Sequence, residues 1–254
     1  MQTHAVLVIS GLDPSGAAGI TADIESINQF GVVPLPLVSA LTVQNTQKVE
    51  SINEVDDQIL IEQFDSLRDD INFFVIKVGM LCSAKQIHAV SRIISQTKQP
   101  FVILDPILKA STNDSLLEKS AINALKNELL PRVDLLTPNA SELITLSANN
   151  NEEESVNLMP CRYVLVTNTD ISDKTIEHRL YHDKKLIKKF EYQKLPGSYH
   201  GSGCTLASSI SALVAKGLSV QDACDQALEY TYQTLLNAKS LGKMQYHPNR
   251  VKPS

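Results

Sequence analysis

The amino-acid sequence predicts an α/β protein with a mostly parallel central sheet and helices on both faces. Three observations carry this. Short, almost wholly apolar runs recur along the chain, the pattern of strands buried on both faces. Amphipathic helical stretches alternate with them, as βαβ units require. Polar, glycine- and proline-containing clusters follow the apolar runs, where ligands of open α/β sheets bind.

The elements follow in order. "AVLVIS" (5–10) reads as a buried strand, and "AGITADIESINQF" (18–30) as a helix ended by Gly31. "VVPLPLVSAL" is a second strand whose two prolines mark an irregular or edge segment. "QILIEQFDSLRDDI" has helical apolar spacing. "FFVIKVGML" is a strand and turn, and "SAKQIHAVSRIISQT" a helix with a serine cap. "FVILDPIL" is a buried strand, and "LEKSAINALKNELL" is helical. "VDLLTPNASELITL" is a strand, a loop and a helix start. "ANNNEEES" (148–155) reads as a solvated loop. "YVLVTNTD" is the last strongly buried strand. "RLYHD" and "LIKKFEYQKL" form an antiparallel edge hairpin turning at the KK of "DKKL". Two helices close the chain, over 204–216 and 221–238.

The 254 residues suffice for a substantial core, and no linker or repeat divides them, so one domain over 1–254 is expected. The net charge of −5 and the lack of a basic tract argue against nucleic acid and against an anionic membrane surface. No apolar run reaches the ~18 residues of a membrane span. The N-terminal stretch lacks the regions of a signal peptide. The four cysteines, Cys82, Cys161, Cys204 and Cys224, are widely separated with no C-x-x-C. This fits a reducing cytoplasm rather than disulfides or zinc.

Five clusters should converge on one rim: "GLDPSG", "QNT", "KVGM", "DP" and "TPNASE". "GLDPSG" has the glycine spacing of a P-loop, but Ala17 and Ala18 stand where Lys and Ser/Thr are needed. It is either a turn of good turn formers or a close approach to a flat ligand. "TPNASE" places Asn139 and Glu142 at a helix start, as a capping box or aimed at a metal–phosphate group. Asp105 of "FVILDP" is an Asx turn or a second carboxylate for the metal. In "HGSGCT", consecutive N–H groups of Gly201, Ser202, Gly203 and Cys204 at a helix start make an anion cradle. The helix N-terminus would lower the thiol pKa of Cys204, which either takes a proton from an attacking hydroxyl or simply packs. His200 reads as a turn residue beside the cradle.

These segments, in this order, resemble the ribokinase superfamily. Within it they resemble the hydroxymethylpyrimidine/phosphomethylpyrimidine kinases of thiamine biosynthesis. The matching text is "ISGLDPSGAAGITADIESINQFGV", "SALTVQNT", "IKVGML", "VILDPIL", "LLTPNASEL" and "HGSGCTLASSISA". Sugar kinases of the superfamily carry Asp where this chain has Cys204. The resemblance implies a ribokinase-like three-layer αβα fold and a cytoplasmic homodimer. It implies ATP-dependent phosphorylation of 4-amino-5-hydroxymethyl-2-methylpyrimidine, of its monophosphate, or of both. The pyrimidine pocket would be Gly11, Asp23, Gln44 and Met80, with Asp13 shaping the turn. ATP would meet Asn139, Gly201, Ser202 and Gly203, with Cys204 as the catalytic residue. Mg²⁺ would lie near Asn139 and Glu142, with Glu142 holding it through water and Asp105 as the second carboxylate read above.

Three segments depart from the family. "TNTD" (167–170) stands where relatives have "KGGH", removing a lysine that Lys77, Lys109 or Lys243 would have to replace. The stretch before it is too short for the usual helix, and "STND" replaces "SGD". These departures admit a pyrimidine-binding regulatory protein, and the flat alcohol pyridoxine admits a pyridoxal kinase of the same superfamily.

Overall fold

The computed structural model describes residues 4–108 and 119–251. Its centre is one nine-stranded sheet in the order β3-β2-β1-β4-β5-β6-β7-β8-β9. The strands are β1 (Ala5–Leu12), β2 (Val33–Gln44), β3 (Val49–Glu54), β4 (Val75–Val78), β5 (Phe101–Leu104), β6 (Leu135–Leu136), β7 (Tyr163–Asp170), β8 (Thr175–His182) and β9 (Lys185–Gln193). Pairing is parallel from β2 through β7. It is antiparallel where β3 joins β2 and where β8 and β9 extend the far edge.

The helices are α1 (Gly19–Asn28), α2 (Asp57–Arg68), α3 (Ala84–Gln96), α4 (Lys119–Ala124), α5 (Ala140–Ser147), α6 (Glu152–Leu158), α7 (Ser202–Ala215) and α8 (Val220–Leu236). Two apolar cores flank the sheet because alternate strand residues point to opposite faces. Val6 and Val8 of β1 pack with α1, α7 and α8. Leu7 and Ile9 pack with the layer containing α2, α3, α5 and α6. The expected three-layer arrangement therefore holds. Every residue of α7 from Cys204 to Ala215 is buried, which its run of Ala and Ser allows at close range. No helix among the described residues is long and apolar enough to cross a membrane.

Four points correct or refine the sequence reading. β2 is the irregular rather than the edge segment: β1 pairs along it from Val33 and β3 with its second half, Ala40–Gln44, each with a register shift. Its prolines fit because backbone N–H groups alternate in direction. Val33 N–H donates to His4 O on the β1 side, so Pro34 and Pro36 lack their N–H on the side that β3 does not reach. β3, "VESINE", is a further strand that no apolar run in the sequence marks. Helix α6 starts within "ANNNEEES" and runs to Leu158, so the stretch expected to be too short for the usual helix holds one. Its start is fixed by the Asn151 side chain, which accepts from Glu154 N–H, and by three glutamates in the first turn that suit the helix dipole. The β8–β9 turn centres on Asp183–Lys184, both at positive φ, one residue before the KK pair.

Candidate active site

The five rim clusters do converge. They surround a cavity of about 250 Å³ at the carboxyl ends of β1, β2 and β4–β7. The β1–α1 turn is tied by Asp13, whose carboxylate accepts from Ser15 N–H, Ser15 Oγ–H and Ala18 N–H. Asp13 also lines the cavity, so shaping the turn and facing the pocket are one task. Burial would raise its pKa. The bonds from His200 and Ser15 outweigh that and hold it at about 2. His200 Nε2 lies 3.0 Å from Asp13 Oδ2 and 3.1 Å from Gln44 Nε2. This histidine therefore links the β1 turn to the end of β2. Its place in "HGSGCT" was the available signal, and a turn role understated it.

Gly11, Gln44 and Met80 line the cavity as expected. A Cβ on Gly11 would lie 3.0 Å from Met80 Sδ, so glycine lets the thioether approach the first turn. Asp23 does not join them. It is fully buried, away from the cavity lining, with Oδ1 2.8 Å from Lys77 Nζ and 2.6 Å from Ser208 Oγ. The expectation that it pairs with a pyrimidine is therefore corrected. A carboxylate on the inner face of α1 is held by a buried ammonium from β4. Lys77 is likewise fully buried and cannot replace the missing phosphate lysine. Lys243 is exposed with its backbone N–H on Thr46 Oγ1, and Lys109 lies outside the described residues. No lysine lines the cavity among the described residues.

Asn139 and Glu142 form the capping box of α5. Asn139 Oδ1 accepts from Glu142 N–H, and Glu142 Oε2 accepts from Asn139 N–H, both at 2.9 Å. Both residues also line the cavity, as does Asp105. Burial, then repulsion from Asp105, pushes Glu142 up to about 8 against the bonds of its cap. Burial pushes Asp105 up to about 6, with Lys77 and a hydrogen bond from Cys204 opposing. A carboxyl whose folded pKa is raised contributes stability below its unfolded pKa and loses it as pH rises through the folded value. We therefore expect the melting temperature of the metal-free protein to fall between about pH 4.5 and about 8 because of Glu142. Glu142→Gln keeps the capping box and should flatten that slope. An unchanged slope would refute the assignment.

The N-terminus of α7 opens on the cavity. Gly201, at φ +84°, precedes it, and no side chain caps it. A Cβ on Gly201 would lie 1.9 Å from Ala17 O, so only glycine fits there. The first N–H groups of a helix have no intrahelical partners, and those of Ser202, Gly203 and Cys204 stand at the lining. The thiol of Cys204, however, is not lowered. It packs with Ala18, Ala22 and Ile107, and burial drives it up to about 12 despite Lys77 and the Gly19 N–H. Desolvation outweighs the helix dipole. A smaller cavity of about 60 Å³ adjoins, sharing Thr167, Asn168, Ser202 and Gly203. Tyr192, Tyr232 and His178 also line it. Burial lowers His178 to about 4, so its ring is neutral.

A family model described as phosphomethylpyrimidine kinase matches residues 13–249. The chain is 30% identical over 250 residues to the hydroxymethylpyrimidine/phosphomethylpyrimidine kinase of Escherichia coli K12, covering 95% of this chain and 94% of that one. It is 30% identical over 246 residues to a probable thiamine biosynthetic bifunctional enzyme, chloroplastic, of rice. There it covers 93% of this chain but spans only 45% of the relative. Pyridoxal kinase from Staphylococcus aureus in complex with AMP-PCP shares the fold, with TM-score 0.89 and 20% identity, over 98% of this chain and 94% of that one.

Proposed function

Because the chain belongs to the phosphomethylpyrimidine kinase family, we propose that it transfers the γ-phosphoryl group of ATP to 4-amino-5-hydroxymethyl-2-methylpyrimidine, and then a second to the resulting monophosphate. The observation that carries this reading is the shared cavity. An amide and a thioether, Gln44 and Met80, line it together with the uncapped α7 N-terminus. The first two suit a flat ring bearing an amine, and the last suits a phosphate.

In the first step the hydroxymethyl oxygen forms a bond to Pγ as the bond from Pγ to the bridging oxygen breaks, and ADP leaves. Such a transfer depends mainly on positioning and on stabilising spread negative charge. The N–H groups of Ser202, Gly203 and Cys204 supply that stabilisation. The hydroxyl proton must go to a base. Cys204 is a neutral thiol, so it accepts this proton only as it gives its own to Asp105, whose carboxylate already takes its hydrogen bond. In the second step the attacking phosphate oxygen is already ionised and needs no base.

The oxygen-only pair Asp105 and Glu142 fits Mg²⁺, which takes one or two carboxylates, waters and substrate phosphates. Burial first, and then the Asp105 charge, raise Glu142, and a divalent cation would offset both. When bound it would neutralise phosphate charge. Asn139 would reach the nucleotide phosphates, and the smaller cavity with Tyr192 and Tyr232 would take the base of ATP. The four free thiols support a reducing, cytoplasmic setting. Exposed Leu41 and Val43, on the outer face of the β2–β3 hairpin, support a homodimer. The chain would act as a single ribokinase-like unit.

The test is purified protein with MgATP and a substrate panel: the hydroxymethylpyrimidine, its monophosphate and pyridoxine. The reading expects ADP release with both pyrimidines. Preference for pyridoxine would make the protein a pyridoxal kinase. Stabilisation by the pyrimidine without turnover would make it a binding protein. Light scattering on the same preparation reads the dimer.

A further inference from the structure

We propose that Arg250, near the C-terminus, is a positioning residue that locks the two glycine turns of the phosphate cradle together; this rests on the phosphoryl-transfer reading above. Arg250 is 2% exposed and does not line the cavity. Its guanidinium reaches three separate parts of the chain. Nε donates to Thr205 Oγ1 in the first turn of α7 (2.9 Å). Nη1 donates to Gly16 O (3.3 Å) and to Glu25 on α1 (3.0 Å), and Nη2 donates to Ala17 O. Its own carbonyl accepts from Tyr230 Oη on α8 at 2.7 Å.

These bonds meet at the tightest contact of the site. Ala17 O is the atom that leaves no room for a side chain at Gly201. Thr205 Oγ1, held by Arg250, donates in turn to Gly201 O at 2.8 Å. One planar fork thus fixes both walls of the gap, the β1–α1 turn and the α7 N-terminus. Asp13 anchors the same turn from the cavity side through Ala18 N–H. Gly16, Ala17 and Gly201 present only carbonyls here, and a rigid multi-donor cation suits several carbonyls better than any neutral side chain.

The C-terminal segment leading to Arg250 closes around the same loops. His200 N–H donates to Tyr246 O, Tyr246 N–H to Ser198 O, and Lys243 N–H to Thr46 Oγ1. A Cβ on Gly197 would lie 2.8 Å from the Tyr246 ring. Residues 239–251 therefore form a strap across the "QNT" and "HGSGCT" loops. Arg250 is its buried end.

The experiment compares Arg250→Met, Arg250→Lys and Arg250→Ala with the unaltered chain. A cradle displaced by a fraction of an ångström loses transition-state contacts more than ground-state binding. We expect Arg250→Met to lower kcat by about 10-fold or more, with KM for the pyrimidine within about 3-fold. Arg250→Lys keeps the charge but not the fork, and should lose about 5-fold or more. Added guanidinium should restore kcat of Arg250→Ala saturably, while NaCl of equal ionic strength should not. A kcat within about 2-fold of the unaltered chain in Arg250→Met, or kcat lost together with melting temperature and not restored by guanidinium, overturns the proposal. Where Arg250→Ala does not fold, Arg250→Lys decides. If the unaltered chain does not turn over the pyrimidine, the functional reading fails by itself. Calorimetric binding of Mg–AMP-PCP then tests Arg250: about 5-fold weaker binding in Arg250→Met supports the role, and unchanged affinity overturns it.

Discussion

Cys204→Ala is expected to slow phosphorylation of the hydroxymethylpyrimidine by about 10²-fold or more, the scale of a lost general base. Phosphorylation of the monophosphate should fall far less, because its nucleophile is already anionic. Cys204 packs with Ala18, Ala22 and Ile107, while Gln44 and Met80 are not in that cluster, so removing the sulfur should leave the pyrimidine contacts intact. KM for the alcohol should therefore change little. Single-step assays with each substrate read the division directly. Equal losses in the two steps would reduce Cys204 to one more N–H donor of the cradle. Asp105→Asn should lower both steps through the lost metal carboxylate, and the first step more, since the hydroxyl proton then has nowhere to go. Full first-step activity in Asp105→Asn would remove it from the proton path.

Lys77→Met should destabilise the fold by about 3–5 kcal/mol, the cost of breaking a buried ion pair and stranding its partner. Both side chains are fully buried, 54 positions apart in sequence, on β4 and α1. Burial alone would pull the Lys77 ammonium down. Asp23 first, then Cys204 and Asp105, push it above its ordinary range. Without it, Asp23 retains only the 2.6 Å bond from Ser208 against the apolar surroundings of α1. The double change Asp23→Asn with Lys77→Met should recover much of the loss, because no charge is then stranded. Chemical denaturation gives both values. A single-variant loss below about 1 kcal/mol would mean that the pair is already compensated by other groups.

Much of this architecture is legible in the residues, and the parts that are not have physical reasons. The parallel strands announce themselves because burial on both faces demands unbroken apolar runs such as "AVLVIS" and "FVILDP". Convergence of the rim follows from strand direction alone, so the positions of Gly11, Gln44, Met80, Asp105, Asn139 and Glu142 could be anticipated. β3 could not, since "VESINE" lies on a solvated edge and becomes a strand only by pairing with β2. α6 is seven residues long and acidic, so its cap and first turn carry what its composition conceals. Asp23 enters the pocket only through the resemblance, and its partners Lys77 and Ser208, 54 and 185 positions away, meet it only in the fold. The dipole acting on Cys204 is local and readable. The burial that overrides it comes from Ala18, Ala22 and Ile107, which only folding brings there. Arg250 belongs to no motif, and its role exists only in three dimensions.

The raised thiols carry a practical consequence. Cys82, Cys161, Cys204 and Cys224 are all pushed upward, chiefly by burial. Alkylating agents and peroxides select cysteines by their thiolate fraction and accessibility. Cys204, the one of the four that lines the cavity among the described residues, is thus among the least conspicuous to them. A survey that finds functional cysteines by their chemical reactivity would pass over this protein, and oxidants that attack thiolates are expected to spare the Cys204 thiol.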